Sequence, residues 1–307
     1  MPLLHTACRI PFGIIPSMKV AVISDIHGNL PALEAVVEHI DQWSPDIVVV
    51  GGDIINRGPL SGACLDLLVR RHETHGWHLL RGNHEEFVLD CGNPDQPQSG
   101  PAYDMKRFAH FALAQVGAQV ELLRMLPDVF ERPAANGDLL RIVHASMRSN
   151  RDGIYPMSVD DDIRRQIAPA PAVFVTGHTH RPLMRRVDDT LVVNIGSVGS
   201  SFDDDRRAGY GRFTWKERHW AAEIVRVEYD FSRIEQDYVK SGFLDQGGPL
   251  AQLMLVELRK ARGLIHRWAS QYEDAVLAGR LTLEESVRLV LCEDDIHPFT
   301  GPPGWSL

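Results

Sequence analysis

From Lys19 onward, short apolar runs rich in β-branched residues alternate with stretches whose apolar positions recur every three or four residues. This pattern predicts a layered α/β protein. Lys19–Ser24, Asp46–Gly51 and Trp77–Leu80 read as strands, and Pro31–Gln42 and Leu60–Arg71 as helices. Pro31 falls in a first turn, where its missing N–H costs nothing, and the third strand runs into the turn pair Gly82-Asn83. Residues 92–101, with three prolines and two glycines, form a loop, after which Asp104–Met125 is predicted as one helix. Strand patterns then follow at Asp128–Glu131, Leu139–His144, Ala172–Thr176, Leu183–Val187, Leu191–Ile195, Tyr210–Trp215 and Ala221–Tyr229, enough for a second sheet. The expected architecture is two sheets packed face to face with helices outside.

Beyond this region the period changes. Leu250, Met254, Leu258, Ala261, Ile265, Trp268, Tyr272 and Val276 step by three or four, which predicts one amphipathic helix from Pro249 to Val276. Thr282 and Glu285 have capping-box spacing, so a shorter helix is expected to fold back. The domain reading is therefore an extension at 1–17, a main domain at 18–230, and a C-terminal helical appendage with an irregular tail at 231–307. Met18, directly before the first strand, is the expected start of translation. The appendage would either pack on the core or serve as a homo-oligomer contact or lid.

Composition narrows the class. With 44% apolar and 24% charged residues and no apolar run long enough for a bilayer, a membrane span is not expected. Four widely spaced cysteines form neither a disulfide framework nor a thiolate metal site, and no signal peptide is read, so a cytoplasmic protein is expected. A net charge of −9 argues against a broad nucleic-acid surface, and no nucleic-acid module is found.

Five segments place metal-ligand residues immediately after predicted strands: Asp25-Ile26-His27, Gly52-Asp53, Gly82-Asn83-His84-Glu85, His144 and Gly177-His178-Thr179-His180. In α/β sheets such positions converge on one rim. A lone Asp-x-His is more often a capped turn and Gly-Asp alone says little, while His-x-His is more suggestive though it also fits a polar edge; their conjunction points to a site. Carboxylates and imidazoles suit divalent transition metals, manganese or iron foremost, with cobalt, nickel or zinc as alternatives. Two cations about 3.5–4 Å apart would be bridged by the two oxygens of Asp53. One would take Asp25, His27 and His180, and the other Asn83, His144 and His178. A shared water, deprotonated near neutral pH, would attack a phosphate ester.

In order and spacing these segments resemble the calcineurin-like metallophosphoesterase superfamily: Asp-x-His, Gly-Asp, Gly-Asn-His-Asp/Glu, a lone His and Gly-His-x-His. The resemblance spans roughly Met18 to Tyr229. It implies two mixed β-sheets packed as a sandwich flanked by α-helices, and a phosphomonoesterase or phosphodiesterase acting on a phosphate-ester substrate. Ser24–Glu34 and Asn194–Gly199 are similar to a small prokaryotic phosphodiesterase-like branch. Gly52–Pro59 and Leu80–Glu85 are similar instead to serine/threonine phosphoprotein phosphatases and symmetric diadenosine tetraphosphatases. From these, Arg57 is expected to hold the substrate phosphate and His84 to act as general acid. Arg81 either contacts substrate or forms an ion pair. Asn56 stands where the phosphatases usually carry an aspartate, which weakens the imidazolium reading of His84. Arg148, Arg151, Arg181, Arg185 and Arg186 either line a cationic rim or pair with nearby acids. A binding protein that kept the fold without catalysis is the rival reading; it would typically lack one of these residues, and none is missing.

Overall fold

The computed structural model of the chain describes residues 17–293. The expectations for the N-terminal extension and the Pro298–Pro303 tail fall outside these residues, Ser17 apart. The strands are β1 Met18–Ile23, β2 Ile47–Val50, β3 His78–Leu79, β4 Val129–Pro133, β5 Leu139–Val143, β6 Val173–Thr176, β7 Leu183–Val187, β8 Thr190–Asn194, β9 Ala208–Lys216 and β10 His219–Val227. They form two five-stranded sheets, ordered β10-β9-β1-β2-β3 and β4-β5-β6-β8-β7. Both sheets are mixed. In the first, β1, β2 and β3 run parallel, β9 pairs antiparallel with β1, and β10 pairs antiparallel with β9. In the second, β5, β6 and β8 run parallel with β4 and β7 antiparallel.

Side-chain alternation along the strands builds the layers. On β1, Val20 and Val22 enter the core between the sheets, while Ala21 and Ile23 face the core under the main helical layer. On β6, Val173 and Val175 face between the sheets and Phe174 faces outward. There Phe174 meets Ile163 and Ile167 of a helix at Asp160–Ile167. The sandwich is thus covered on both sides, as expected.

Several elements differ from the sequence reading. The last two strands, placed by the sequence reading in the second sheet, complete the first: β9 pairs with β1, from Met18 opposite Trp215 to Val22 opposite Gly211. The helix expected over Asp104–Met125 is divided into Pro101–Asp104, Arg107–Val116, a 3-10 turn and Val120–Met125. The break falls at Gly117, whose φ of 53° no ordinary helix tolerates. The helix expected over Pro249–Val276 is likewise two, Pro249–Lys260 and Ile265–Leu277, separated where Ala261 turns left-handed. Asn83–Cys91, Asp160–Ile167 and Phe231–Lys240 are helices that the apolar pattern did not reveal.

The final helix, Leu283–Glu293, begins with the expected reciprocal cap: Glu285 N–H donates to Thr282 Oγ1 at 3.1 Å and Thr282 N–H to Glu285 Oε2 at 3.0 Å. It packs back as predicted, and Trp268 Nε1–H donates to Ser286 Oγ at 2.8 Å across the pair. Leu250, Leu253, Met254, Trp268, Val287 and Val290 share one core with Ile23, Leu33, Leu65 and Phe108. Among the described residues no helix is long and apolar enough to cross a membrane.

Candidate metal centre

The parallel strands of both sheets end on one edge, and the loops that follow them carry the chemistry. Asp25 and His27 follow β1, Asp53 follows β2, Asn83 and His84 follow β3, His144 follows β5, and His178 and His180 follow β6. All seven residues expected as metal ligands come together there. Ligand atoms of Asp25, His27 and His180 lie within 4.8 Å of one another, as do those of Asp53, His144 and His178 and those of His27, Asp53 and His84.

The distances define two adjoining pockets. In the first, His27 Nε2 lies 3.1 Å from His180 Nε2, and His180 Nε2 lies 3.3 Å from Asp25 Oδ1. Asp25 Oδ1 is buried without a hydrogen-bond partner, a costly arrangement unless a cation or proton occupies the space before it. In the second, Asn83 Oδ1 lies 2.9 Å from His144 Nε2 and 2.8 Å from His178 Nδ1. Asp53 Oδ2 stands between, 3.7 Å from His27 Nε2 and 3.3 Å from His144 Nε2. Its other oxygen accepts the His84 N–H at 2.8 Å. Buried carboxylates and imidazoles converging in this way fit hard to borderline divalent cations.

Neighbouring carbonyls set the ring tautomers. His144 Nδ1 faces Gly51 O at 2.9 Å and His180 Nδ1 faces Ser200 O at 2.5 Å. In the neutral rings each Nδ1–H therefore donates, leaving the Nε2 lone pair directed into the site. Burial opposes charge on His144, but the Asp53 carboxylate outweighs it and raises the ring's pKa to about 10. Burial dominates elsewhere: it pushes His84 down to about 3, against Asp53, and His178 down to about 4, helped by His144.

The loops are strained toward this geometry. Asp25, His27, Asp53, His178 and His180 all have φ between 50° and 65°, a region that non-glycine residues rarely occupy. Two residues quoted in the motifs without a role hold them there. Glu85, fully buried, accepts N–H groups from Asp53 at 2.8 Å, Ile54 at 2.7 Å, Ile55 at 3.3 Å and Gly82 at 2.7 Å, binding the loop after β2 to the loop after β3. Asn194 donates to Gly177 O at 2.7 Å and Thr179 Oγ1 at 2.9 Å and accepts from Gly196 N at 3.0 Å. For Asn194 the available signal was a polar residue at a strand end among apolar neighbours, and for Glu85 its place three residues after Gly82, the spacing of an N-terminal helix cap.

The other expected site residues divide. His84 lies over the centre, its ring 4.9 Å from that of His27. Asn56 Oδ1 accepts the Arg57 N–H at 2.9 Å, so its amide nitrogen faces His84 Nδ1 at 2.8 Å and donates to it. His84 Nδ1 is then an acceptor, and the proton of the neutral ring sits on Nε2. Arg57 lies beside His27 and pairs with Glu257 at 2.5 Å. Arg81 is held by Asp128 at 2.8 Å and Glu86 at 3.6 Å, on the wall of a cleft of about 440 Å³ that reaches His144. Arg148, Arg151 and Arg185 pair with Asp152, Glu86 and Asp160 respectively.

A fold of two mixed sheets with this residue set at their common edge defines a metallophosphoesterase architecture. Residues 18–182 match the calcineurin-like phosphoesterase family model, and the chain belongs to that family. Divalent metals are the cofactors of this family. The uncharacterized protein MJ0912 of Methanocaldococcus jannaschii is 27% identical over 244 residues, covering 72% of this chain and 92% of its own. The asymmetrical bis(5'-nucleosyl)-tetraphosphatase PrpE of Bacillus velezensis is 24% identical over 257 residues, covering 72% and 98%. Among solved structures, a metallophosphoesterase from Sphaerobacter thermophilus superposes with a TM-score of 0.63 at 23% identity, covering 80% of this chain and all of its own.

Proposed function

We propose that the chain hydrolyses a phosphomonoester or phosphodiester, using two divalent cations held by the seven clustered residues. Asp25, His27 and His180 would hold one ion, and Asn83, His144 and His178 the other. The observation that carries this reading is Asp53 Oδ2, buried between the two groups at 3.7 Å from His27 Nε2 and 3.3 Å from His144 Nε2. Asp53 Oδ1 accepts the His84 N–H, a bond that fixes the carboxylate's orientation, and Asp53 would serve both ions. When bound, the ions supply charge neutralisation at the phosphoryl oxygens and a water acidified toward neutral pH.

The chain's own residues supply orientation and a proton. His84 Nε2–H, kept there by the Asn56 amide, serves as a neutral donor to the ester oxygen rather than as an imidazolium acid. Leaving groups of low pKa are favoured accordingly. Arg57 orients the phosphate, while Arg81, tied to Asp128, shapes the cleft in which the remainder of the substrate lies. Manganese or iron is the preferred metal, and the cytoplasm the preferred compartment. The likeness to PrpE makes a dinucleoside tetraphosphate the first natural substrate class to assay. Metal-loaded protein should hydrolyse p-nitrophenyl phosphate, its bis ester or diadenosine tetraphosphate, and a chelator should abolish the rate. Absence of turnover with manganese, iron, cobalt, nickel and zinc would reject the proposal.

A further inference from the structure

Arg57 is reached by a part of the chain that lies outside the family match. Glu257, on the Pro249–Lys260 helix, is 1% exposed and places Oε2 2.5 Å from Arg57 Nη2. Its other oxygen accepts the N–H groups of Leu264 at 2.5 Å and Ile265 at 2.7 Å, the first residues of the next helix. Tyr238, on the Phe231–Lys240 helix, donates its hydroxyl to Arg57 O at 3.2 Å. The backbone so held is unusual: Asn56 and Arg57 have φ of 71° and 61°. The guanidinium lies 5.7 Å from the Phe202 ring, which stacks on His180 with centroids 4.4 Å apart. Arg57 Nε is buried and has no partner, and it lines the same small pocket as His27, Ser200 and Glu257.

We infer that Glu257 is a positioning residue for the phosphate arginine, so that the C-terminal helices form part of the substrate site. This rests on the reading of Arg57 given above. A guanidinium offers five N–H donors in a rigid fork; Glu257 takes one nitrogen, and that bond fixes the plane of the rest. The side chain then orders no further when phosphate arrives at the remaining N–H groups. The split use of the Glu257 carboxylate ties this orientation to the turn between the two helices.

The test compares Glu257→Gln with Arg57→Ala in the full chain. A glutamine can still accept from Leu264 and Ile265 through its carbonyl oxygen, but it then turns an NH₂ group toward Arg57. Glu257→Gln should raise KM for p-nitrophenyl phosphate about tenfold, with kcat within about twofold. Binding of inorganic phosphate, followed by calorimetry on the metal-loaded protein, should weaken by a similar factor, and metal content should not change. In the double variant the Glu257→Gln effect should vanish, because both changes act through one guanidinium. An unchanged or lower KM in Glu257→Gln beside a raised KM in Arg57→Ala would overturn the inference while leaving Arg57 in place. An unchanged KM in Arg57→Ala would overturn the underlying reading of Arg57. Should Glu257→Gln fail to fold, Tyr238→Phe decides: a KM raised about threefold supports the positioning role, and an unchanged KM refutes it.

Discussion

Asp53 Oδ2 lies 3.3 Å from His144 Nε2, where a bound cation would take the place of the ring's second proton. With the ring's pKa raised to about 10 by Asp53, the metal-free site is protonated at neutral pH, and ligation releases that proton. Apparent metal affinity should therefore rise with pH between about 6 and 8, by about tenfold per unit if one proton is released. Titrations in buffers of different ionisation enthalpy measure the release directly; an affinity independent of pH would contradict the assignment. Glycines give a second residue-scale prediction. A Cβ on Gly82 would overlap Asp53 Oδ1, whereas one on Gly76, at φ 67°, would meet nothing within 4 Å. Gly82→Ala should thus displace Asp53 and lower bound metal. Gly76→Ala should cost about 1 kcal/mol of stability through backbone strain alone and leave metal content intact, as metal analysis and thermal melts would show.

At the scale of elements, the cap of the last helix is open to a simple check. Thr282→Ala removes one half of the reciprocal cap and should cost about 1 kcal/mol, read from denaturant midpoints, with metal binding unchanged. That cap was legible in sequence because its spacing is local, and so were the strands, whose apolar runs end within two residues of the observed ends. The clustering of the candidate ligands was legible for the same reason: each lies just after one of five strands. What could not be read was non-local. The pairing of β9 with β1 depends on residues nearly two hundred positions apart, so the last two strands went to the wrong sheet. The two overlong helices were misread because apolar spacing continues across Gly117 and Ala261 while the backbone turns left-handed. The Asn83–Cys91 helix was hidden by its Gly82-Asn83 start, which reads as a turn until Glu85 is seen accepting the Gly82 N–H.

Across the whole molecule, the C-terminal helices and the first sheet share a single apolar core. A chain ending at residue 248 would lose Leu250, Leu253, Met254 and Trp268 from that core and should fail to fold, as circular dichroism and limited proteolysis would reveal. Retention of native structure would instead make the appendage separable. Acid sensitivity is a second global property. Burial lowers the pKa values of His27, His84 and His178, so in the unfolded chain these rings bind protons at higher pH than in the fold. Their contribution to stability is present above the ordinary histidine value of about 6.5 and is lost as pH falls toward their folded values. The raised pKa of His144 acts in the opposite sense: its contribution is complete below about 6.5 and fades as pH rises through about 10. With three rings against one, the melting temperature of chelator-treated protein should fall between pH 7 and pH 5.

The central claim, a two-ion centre joined through Asp53, is tested most directly by metal stoichiometry. Elemental analysis of manganese-loaded wild-type protein and of Asp53→Asn, each paired with its hydrolysis rate, should give two ions per chain and metal-dependent turnover for the first. The variant should hold fewer ions and show no turnover. Equal metal content and equal rate in the two proteins would contradict it.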